Sequence, residues 1–567
     1  MVLAFKWHRQ YYQSKIKMTS ASIQHLLSQA IQSLQDGDLL QAQAFCEAML
    51  EADPDHPEGG RLLALVCQEQ GDWEKAASVF LRLNQLRPDN RLIQLKLACL
   101  LLKAEREEEA LSLLTQFIRL SQHQPVAPLE ASEWVEAAHM MMRLGVLDDA
   151  VFCFQQARQV NPADEEIDIG LYRLQRFQEQ NALQGALVRT SPAVHQEQLE
   201  GQLAWDCLIF SPSTVNGQGG GQHPPQIARA LTEMGHHVLF VQPLMTESHS
   251  EGFSVYQDIF ISEDDTLTTF QKARYQDFMA SFCQESDSQE SDKHRVALFT
   301  VFTPYLLQLI PLLKSFHFKI VYWCLDDWQH IGDPRLTLAL ETLFVQSVDS
   351  VFATSRLLAE KMTRLSGKPC PVISNGFSRQ NFPPRTVLPP VSPEASPADM
   401  VVGPVKTFIY WGDLISPWVN WPLFIDIAQK NPQWTFNLIG RLYDNFDEFR
   451  YLFPENCHFL GQKRVDELHA YGLHADIGFI HFVDSPLIQA VNPVKTYEYL
   501  ACRLPIISTN IPEIKDFPAT YLIHDAEGFG EAVAKIDQAQ IDFGEIESFL
   551  SQTTWVARAQ RFLDSLS

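Results

Sequence analysis

The 567-residue chain is 46% hydrophobic and holds material for roughly three globular domains with real cores. Its formal charge of −25, from 69 acidic against 44 basic residues, argues against nonspecific nucleic-acid binding and a strongly basic membrane-docking surface, so an anionic ligand needs a local basic pocket. Ten cysteines lie scattered without a CxxC pair, which suggests neither a zinc knuckle nor a disulfide framework, and no apolar run approaches the ~20 residues of a membrane span.

Residues 1–19 read as a leader outside the fold, and the first 17, MVLAFKWHRQYYQSKIK, lack the long apolar stretch of a signal peptide. Cytoplasmic residence is the default. Between 20 and 180 the chain repeats itself: Gly37, Ala42 and Pro54 return as Gly71, Ala76 and Pro88 at a period of 34, and Ala110 continues the series. After an insertion at 122–128, QHQPVAP, the pattern resumes as Gly145, Ala150, Phe154, Ala157 and Pro162. The alanines allow close helix crossing, the glycines turn the chain and the prolines end each unit. This pattern resembles the tetratricopeptide repeat (TPR), which implies three to four helix pairs stacked in a curved array that docks a protein or peptide partner. A purely structural spacer is the alternative. The third unit departs from the pattern, with Glu105 at the turn glycine and Glu107 where the second unit has Trp73.

Residues 181–204, rich in Gln, read as a linker. From Trp205, short β-branched or aromatic runs alternate with amphipathic stretches, as in a doubly wound sheet. DCLIFSP, HVLFVQP, RVALFTVF, KIVYWCLDD, SVFATS and CPVISNG are the predicted strands of a first domain over 205–382. The first strand runs into a glycine-rich loop, where Gly217, Gly219, Gly220 and Gly221 let backbone approach an acceptor or a phosphate, with Gln222 and His223 opening the next helix. A dinucleotide fingerprint fails on two counts: Gln222 stands at the third glycine place, and the second strand ends at Gln242 where a ribose-binding acid belongs. Asp326 and Asp327 end a strand at the edge where open sheets bind ligands, with N-capping of the next helix as the competing role. They are adjacent rather than spaced as a DxD, and no metal site is expected.

A proline-rich linker, 383–404, leads to a second domain over 405–567 with strands KTFIYWGDL, TFNLIGRL, CHFLGQ, ADIGFIHF, LPIIST and YLIHD. Its most informative run is NPVKTYEYLACRLPIIST, residues 492–509. Tyr497, Leu500 and Ala501 recur at helical spacing, while Lys495 and Glu498 share one face near the helix start. Asn492 and Pro493 mark a helix N-terminus whose N–H groups favour anions. The order suits Lys495 on a phosphate and Glu498 accepting from two ribose hydroxyls. An exposed ion pair on a surface helix is the alternative.

From about residue 205 onward the ordered blocks GGGQHPPQIARALTEMGHHVLFV, IVYWCLDDW, VDSVFATSRLLAEKM with ISNG, LIGRL, HFLGQ with ADIGFI, and NPVKTYEYLACRLPIIST resemble the group 1, family-4-type glycosyltransferases of the GT-B fold. The QHPPQIARAL, LDDW and NPVKTYEYLA forms look most like bacterial enzymes of cell-surface polysaccharide assembly. The resemblance implies an α + α/β chain, with an N-terminal TPR helical array followed by two Rossmann-like doubly wound α/β domains, acceptor side first and nucleotide-sugar side second. The terminal helix, with Trp555 and Arg558, is expected to cross back onto the first.

The implied reaction moves a sugar from a nucleotide-diphosphate sugar to a saccharide or lipid-linked acceptor hydroxyl with retention of configuration. It needs no cofactor, and a lipid-linked acceptor would bring the protein to the inner face of a membrane. Residue by residue, Glu498 takes the donor ribose and Lys495 the diphosphate, with Tyr497, Pro493 and Gly412 around the donor and His223 toward the donor sugar or acceptor. Two departures stand out. Ala490 occupies the place of a further glutamate that positions the donor sugar, leaving Gln489 and Asn492 as nearby polar groups. The loop after Gly412 reads Asp413, Leu414, Ile415, Ser416 where relatives offer an arginine and a lysine, so Arg441 and the helix start at Asn492 become the candidates for diphosphate charge. The rival readings are a TPR scaffold carrying a catalytically degenerate glycosyltransferase-like domain, and a nucleotide-sugar epimerase on the same fold.

Overall fold

A computed structural model describes residues 20–123, 129–182, 204–212, 223–243, 254–258, 267–285, 294–331, 334–383, 396–414, 417–442 and 450–566. The described residues up to 182 form one compact unit together with 267–277, and the remainder form a second. No helix among the described residues is long and apolar enough to cross a membrane.

Among the described residues up to 182 the first unit contains nine helices: α1 (Ser20–Gln35), α2 (Leu39–Ala52), α3 (Pro57–Glu69), α4 (Trp73–Leu86), α5 (Arg91–Lys103), α6 (Glu107–His123), α7 (Ala131–Arg143), α8 (Leu147–Val160) and α9 (Glu165–Ala182). Consecutive helices pack on each other, and the predicted small residues sit at the crossings, since Ala42, Ala76, Ala110 and Ala150 are fully buried. Asp38 and Asp72 cap α2 and α4 by accepting from the N–H groups of Gln41 and Lys75. The turns within the pairs pass through the left-handed region at Gly37 (φ 76°), Gly71 (φ 75°) and Gly145 (φ 79°). Glu105 makes the same turn at φ 59° without glycine's freedom, so the third pair forms at a local backbone cost.

The start of a later helix, Thr269–Glu285, belongs to this unit. Thr268 Oγ1 donates to the Arg143 carbonyl at 2.6 Å, and the Thr269 N–H donates to Glu107 Oε1 at 2.9 Å. Glu107 therefore has a partner far along the chain at the position where the second repeat carries Trp73. The domain boundaries read from the sequence assigned 267–277 to the first α/β domain, because nothing local to that segment betrays its packing.

The second unit is built on two six-stranded sheets whose neighbouring strands pair in parallel. The first contains β1 (Trp205–Phe210), β2 (His237–Pro243), β3 (Ser254–Asp258), β4 (His294–Phe299), β5 (Lys319–Cys324) and β6 (Ser350–Ala353) in the order β3-β2-β1-β4-β5-β6. The second contains β7 (Lys406–Trp411), β8 (Trp434–Ile439), β9 (Cys457–Phe459), β10 (Ile477–Ile480), β11 (Ile506–Thr509) and β12 (Thr520–Ile523) in the order β12-β11-β10-β7-β8-β9. The two orders are the same path through a doubly wound sheet. β1 and β8 are buried at every residue, as strands covered on both faces must be. β3 was not anticipated from the sequence. CPVISNG was expected as a strand but contributes only a bridge between Val372 and Ala353 before the chain crosses to the second lobe.

The lobes are joined where two segments cross. Phe377 pairs with Thr554, and a Cβ on Gly376 would stand 2.6 Å from the Thr553 carbonyl oxygen, so only glycine permits that approach. Beyond the crossing, helix Trp555–Asp564 returns to the first lobe, where Trp555, Ala559, Phe562 and Leu563 enter its core beside Trp323 and Phe352.

Replacing Glu105 with glycine is expected to stabilise the repeat unit by about 0.5–1 kcal/mol, because the left-handed conformation then costs no Cβ strain. Amide hydrogen exchange in α5 and α6 should slow by roughly two- to fivefold if opening of this turn limits exchange, and unchanged rates would show an unstrained turn.

Candidate functional site

In the second sheet the chain leaves β7 toward β8 and returns to β10 on the other side, and at such a reversal the loops diverge to leave a crevice at the carboxyl edge. Gly412 follows β7 and His481 follows β10. Helix Val494–Ala501 delivers Lys495 to this edge, with Nζ 4.1 Å from the centre of the Tyr410 ring and 5.0 Å from that of Phe482. Gly412 makes room for it. At φ 145° it has no Cβ, and one placed there would collide with Lys495 Nζ and stand 3.1 Å from the Tyr410 hydroxyl. Gly440 closes from β8, where a Cβ would overlap the Gly412 carbonyl oxygen.

Among the described residues Lys495 forms no ion pair. Burial lowers its pKa to about 7, against the opposing attraction of Glu498 and Asp413. Glu498, 5% exposed, accepts a hydrogen bond from Trp411 Nε1 on Oε2 at 2.6 Å. Burial raises its pKa to about 7, with the Trp411 bond and Lys495 opposing. Arg441, after β8, is exposed and pairs with Asp413 at 3.4 Å, which sets a second cation at the same edge but partly neutralises it. His481 is buried against Tyr410, Phe424 and Phe479, and neither ring nitrogen has a partner among the described residues. Burial and then Lys495 hold its pKa down to about 3, leaving it neutral.

Lys495, Glu498, Gly412 and Arg441 thus converge. Asn492 and Tyr497, read from the sequence as donor-side groups together with Pro493, form hydrogen bonds at the crossing. Asn492 Oδ1 accepts from the Asn375 N–H and from the Tyr497 hydroxyl, both at 3.0 Å, and Arg558 Nε donates to the Asn375 carbonyl at 3.1 Å. Tyr497 is fully buried against Phe517 and Phe549, and Pro493 is the N-cap residue of the Lys495 helix. These residues fix where Lys495 and Glu498 sit. Ala490 is buried at the end of the short helix Pro486–Gln489, and Gln489 is bonded to Asp484 at 2.7 Å.

In the first lobe the structure separates the two adjacent acids. Asp327 receives Lys361 Nζ at 2.6 Å and His330 Nδ1 at 2.9 Å, while Lys361 also pairs with the buried Glu341 at 2.6 Å. Asp327 is a structural anchor. The Asp326 carboxyl has no hydrogen-bond partner among the described residues, and burial followed by the charge of Asp327 raises its pKa to about 6. His223 is 5% exposed with its ring against Trp323 (4.4 Å) and Trp555 (5.3 Å), so it packs the returning terminal helix and is not open to a ligand in this conformation. Gly217, Gly219, Gly220, Gly221 and Gln222 lie outside the described residues.

Residues 33–100 match the family model described as "Tetratricopeptide repeat". Tetratricopeptide repeats therefore lie within the N-terminal helical array. Over 241 residues the chain is 25% identical to the "Putative teichuronic acid biosynthesis glycosyltransferase TuaH" of Bacillus subtilis (strain 168), a match covering 40% of this chain and 59% of that relative. Among solved structures, a glycosyltransferase of Rickettsia africae ESF-5 aligns with TM-score 0.48 at 12% identity, over 64% of this chain and 97% of its own. HepE of Anabaena, in complex with UDP and glucose, aligns with TM-score 0.43 at 16% identity, over 64% and 99%. An O-GlcNAc transferase of Thermobaculum terrenum aligns with TM-score 0.35 at 14% identity, over 97% and 95%.

Tyr410, Trp411, His481 and Phe482 were not singled out from the sequence. Their signal was positional: each lies at the carboxyl end of a strand bordering the reversal, which becomes visible only once strand order is known. Gly412→Ala should displace the Lys495 ammonium and weaken binding of a nucleotide diphosphate by at least roughly tenfold, the order expected for loss of a charge-assisted contact. Calorimetric titration checks this, and unchanged affinity would remove Lys495 from the binding edge.

Proposed function

We propose that the chain is a glycosyltransferase moving a sugar from a nucleotide-diphosphate sugar to an acceptor hydroxyl in the synthesis of a cell-surface polysaccharide or glycoconjugate. The observation that carries this reading is the convergence of Lys495 and Glu498 on the reversal point of the second sheet, through space that Gly412 leaves open. Similarity to a protein named for teichuronic acid biosynthesis supports the acceptor class. The TPR array is assigned to docking a protein or peptide partner.

In the reaction the bond between the anomeric carbon and the β-phosphate oxygen breaks, and a bond from that carbon to the acceptor oxygen forms. The acceptor proton passes to the departing diphosphate. Lys495 stabilises the charge that develops on this leaving group, and Arg441 adds to it once Asp413 is displaced. Glu498 holds the ribose and so orients the donor. Retention of anomeric configuration belongs to the same reading.

A second reading, a TPR scaffold with an inactive transferase-like domain, draws on Ala490 at the place of a donor-positioning glutamate and on the Asp413–Arg441 pair where relatives present free cations. A nucleotide-sugar panel followed by ligand-observed NMR, then incubation with acceptor saccharides, separates the two. Transfer supports the enzyme; donor binding without transfer or hydrolysis supports the scaffold. Lys495→Ala and Glu498→Ala should each weaken donor binding by roughly tenfold or more, and unchanged affinity in both would overturn the site assignment.

Lys495 and Glu498 also set a pH dependence. Diphosphate binding favours protonated Lys495, whose pKa in the free protein is about 7, so binding takes up a proton above neutrality and affinity falls as pH rises. Ribose binding favours ionised Glu498, whose pKa in the free protein is raised to about 7, so affinity also falls as pH drops below neutrality. A nucleotide sugar, whose diphosphate carries no proton titrating near neutrality, should therefore bind most tightly near pH 7, and a flat profile would contradict this coupling.

A further inference from the structure

We propose that Trp411 is a positioning residue of the donor crevice: its indole N–H fixes the Glu498 carboxylate to receive a ribose diol, and so sets a preference for ribonucleotides over their 2′-deoxy counterparts. The inference rests on the reading of this crevice as a nucleotide-sugar site.

Trp411 is the last residue of β7 and is 3% exposed. Its indole cannot swing freely. The ring lies 4.3 Å from that of Tyr499 and 6.1 Å from that of Phe382. Its backbone N–H donates to the Tyr499 hydroxyl at 3.2 Å, and at Gly472 a Cβ would already be in contact with the indole edge at 3.4 Å. From this fixed platform Nε1 donates to Glu498 Oε2 at 2.6 Å.

A glutamate leaving a helix has three side-chain torsions, and a bond to an immobile donor removes that freedom before any ligand arrives. With Oε2 engaged, Oε1 has no hydrogen-bond partner among the described residues. The carboxylate is therefore anchored at one oxygen and open at the other, an acceptor held ready for hydroxyl donors. A sugar lacking one hydroxyl would leave part of a buried carboxylate unsatisfied, the situation in which a polar site discriminates most strongly. A residue needed only to fill this corner of the core would not require an N–H directed at the carboxylate.

The test is calorimetric binding of UDP, GDP and ADP, and of dUDP, dGDP and dADP, to the full-length protein and to Trp411→Phe, which keeps an aromatic ring but removes the donor. For the base that binds best, the wild type should prefer the ribonucleotide by roughly tenfold or more. Trp411→Phe should bring the ratio toward unity chiefly by weakening the ribonucleotide. Equal loss for both sugars, or an unchanged ratio, overturns the proposal while leaving the nucleotide-sugar site in place. Failure of the wild type to bind any of the six overturns both.

Should Trp411→Phe not fold, tryptophan-labelled wild-type protein carries the same test by NMR. One indole N–H resonance should move upfield on Glu498→Gln and should respond to the ribonucleotide more than to its 2′-deoxy form. No resonance behaving in this way would sink the assignment.

Discussion

A half-buried lysine, Lys495, that forms no ion pair among the described residues is the constraint around which the carboxyl edge of the second sheet is arranged. Removing a lysine from water without an ion-pair partner costs several kcal/mol, and the protein offsets part of this with the faces of Tyr410 and Phe482 and with the more distant charges of Glu498 and Asp413. The balance favours the charged form less than water does, and the pKa of Lys495 is lowered to about 7. In the proposed function, the diphosphate of the donor would supply the countercharge that Lys495 lacks.

The surrounding residues follow from that arrangement. Gly412 and Gly440 are small because the ammonium and two strand ends must share one corner. Trp411 turns its N–H toward Glu498, anchoring one oxygen of its carboxylate and leaving Lys495 unpaired with it. Asn492, Tyr497, Asn375 and Arg558 bond where the chain crosses between lobes, and the helix carrying Lys495 starts from that knot. The helix that carries Lys495 and Glu498 is thus tied to the segment that joins the lobes.

Much of the fold was legible in the chain. All six strands of the second domain are where their β-branched and aromatic runs placed them, and the 34-residue period located the helix pairs of the array, because local periodicity and turn chemistry determine such elements. β3 escaped because SVYQD is short and carries little apolar signal. Residues 267–277 escaped because their partners, Arg143 and Glu107, are more than a hundred positions away. CPVISNG has the composition of a strand, yet its asparagine and glycine are taken by the crossing.

The sequence by itself determined that a lysine and a glutamate share one helical face behind a second α/β domain, since three-residue spacing on a helix permits nothing else. It could not distinguish Asp326 from Asp327, or separate the residues of NPVKTYEYLA at the carboxyl edge of the sheet from those serving the crossing. Only the tertiary structure decided that Asp327 is consumed by Lys361, that His223 is packed between two tryptophans, and that Trp411 is bonded to Glu498. The physical reason is the same in each case. Local spacing sets which side chains leave one element together, whereas which of them meet a partner depends on strand order and on contacts made across long stretches of chain.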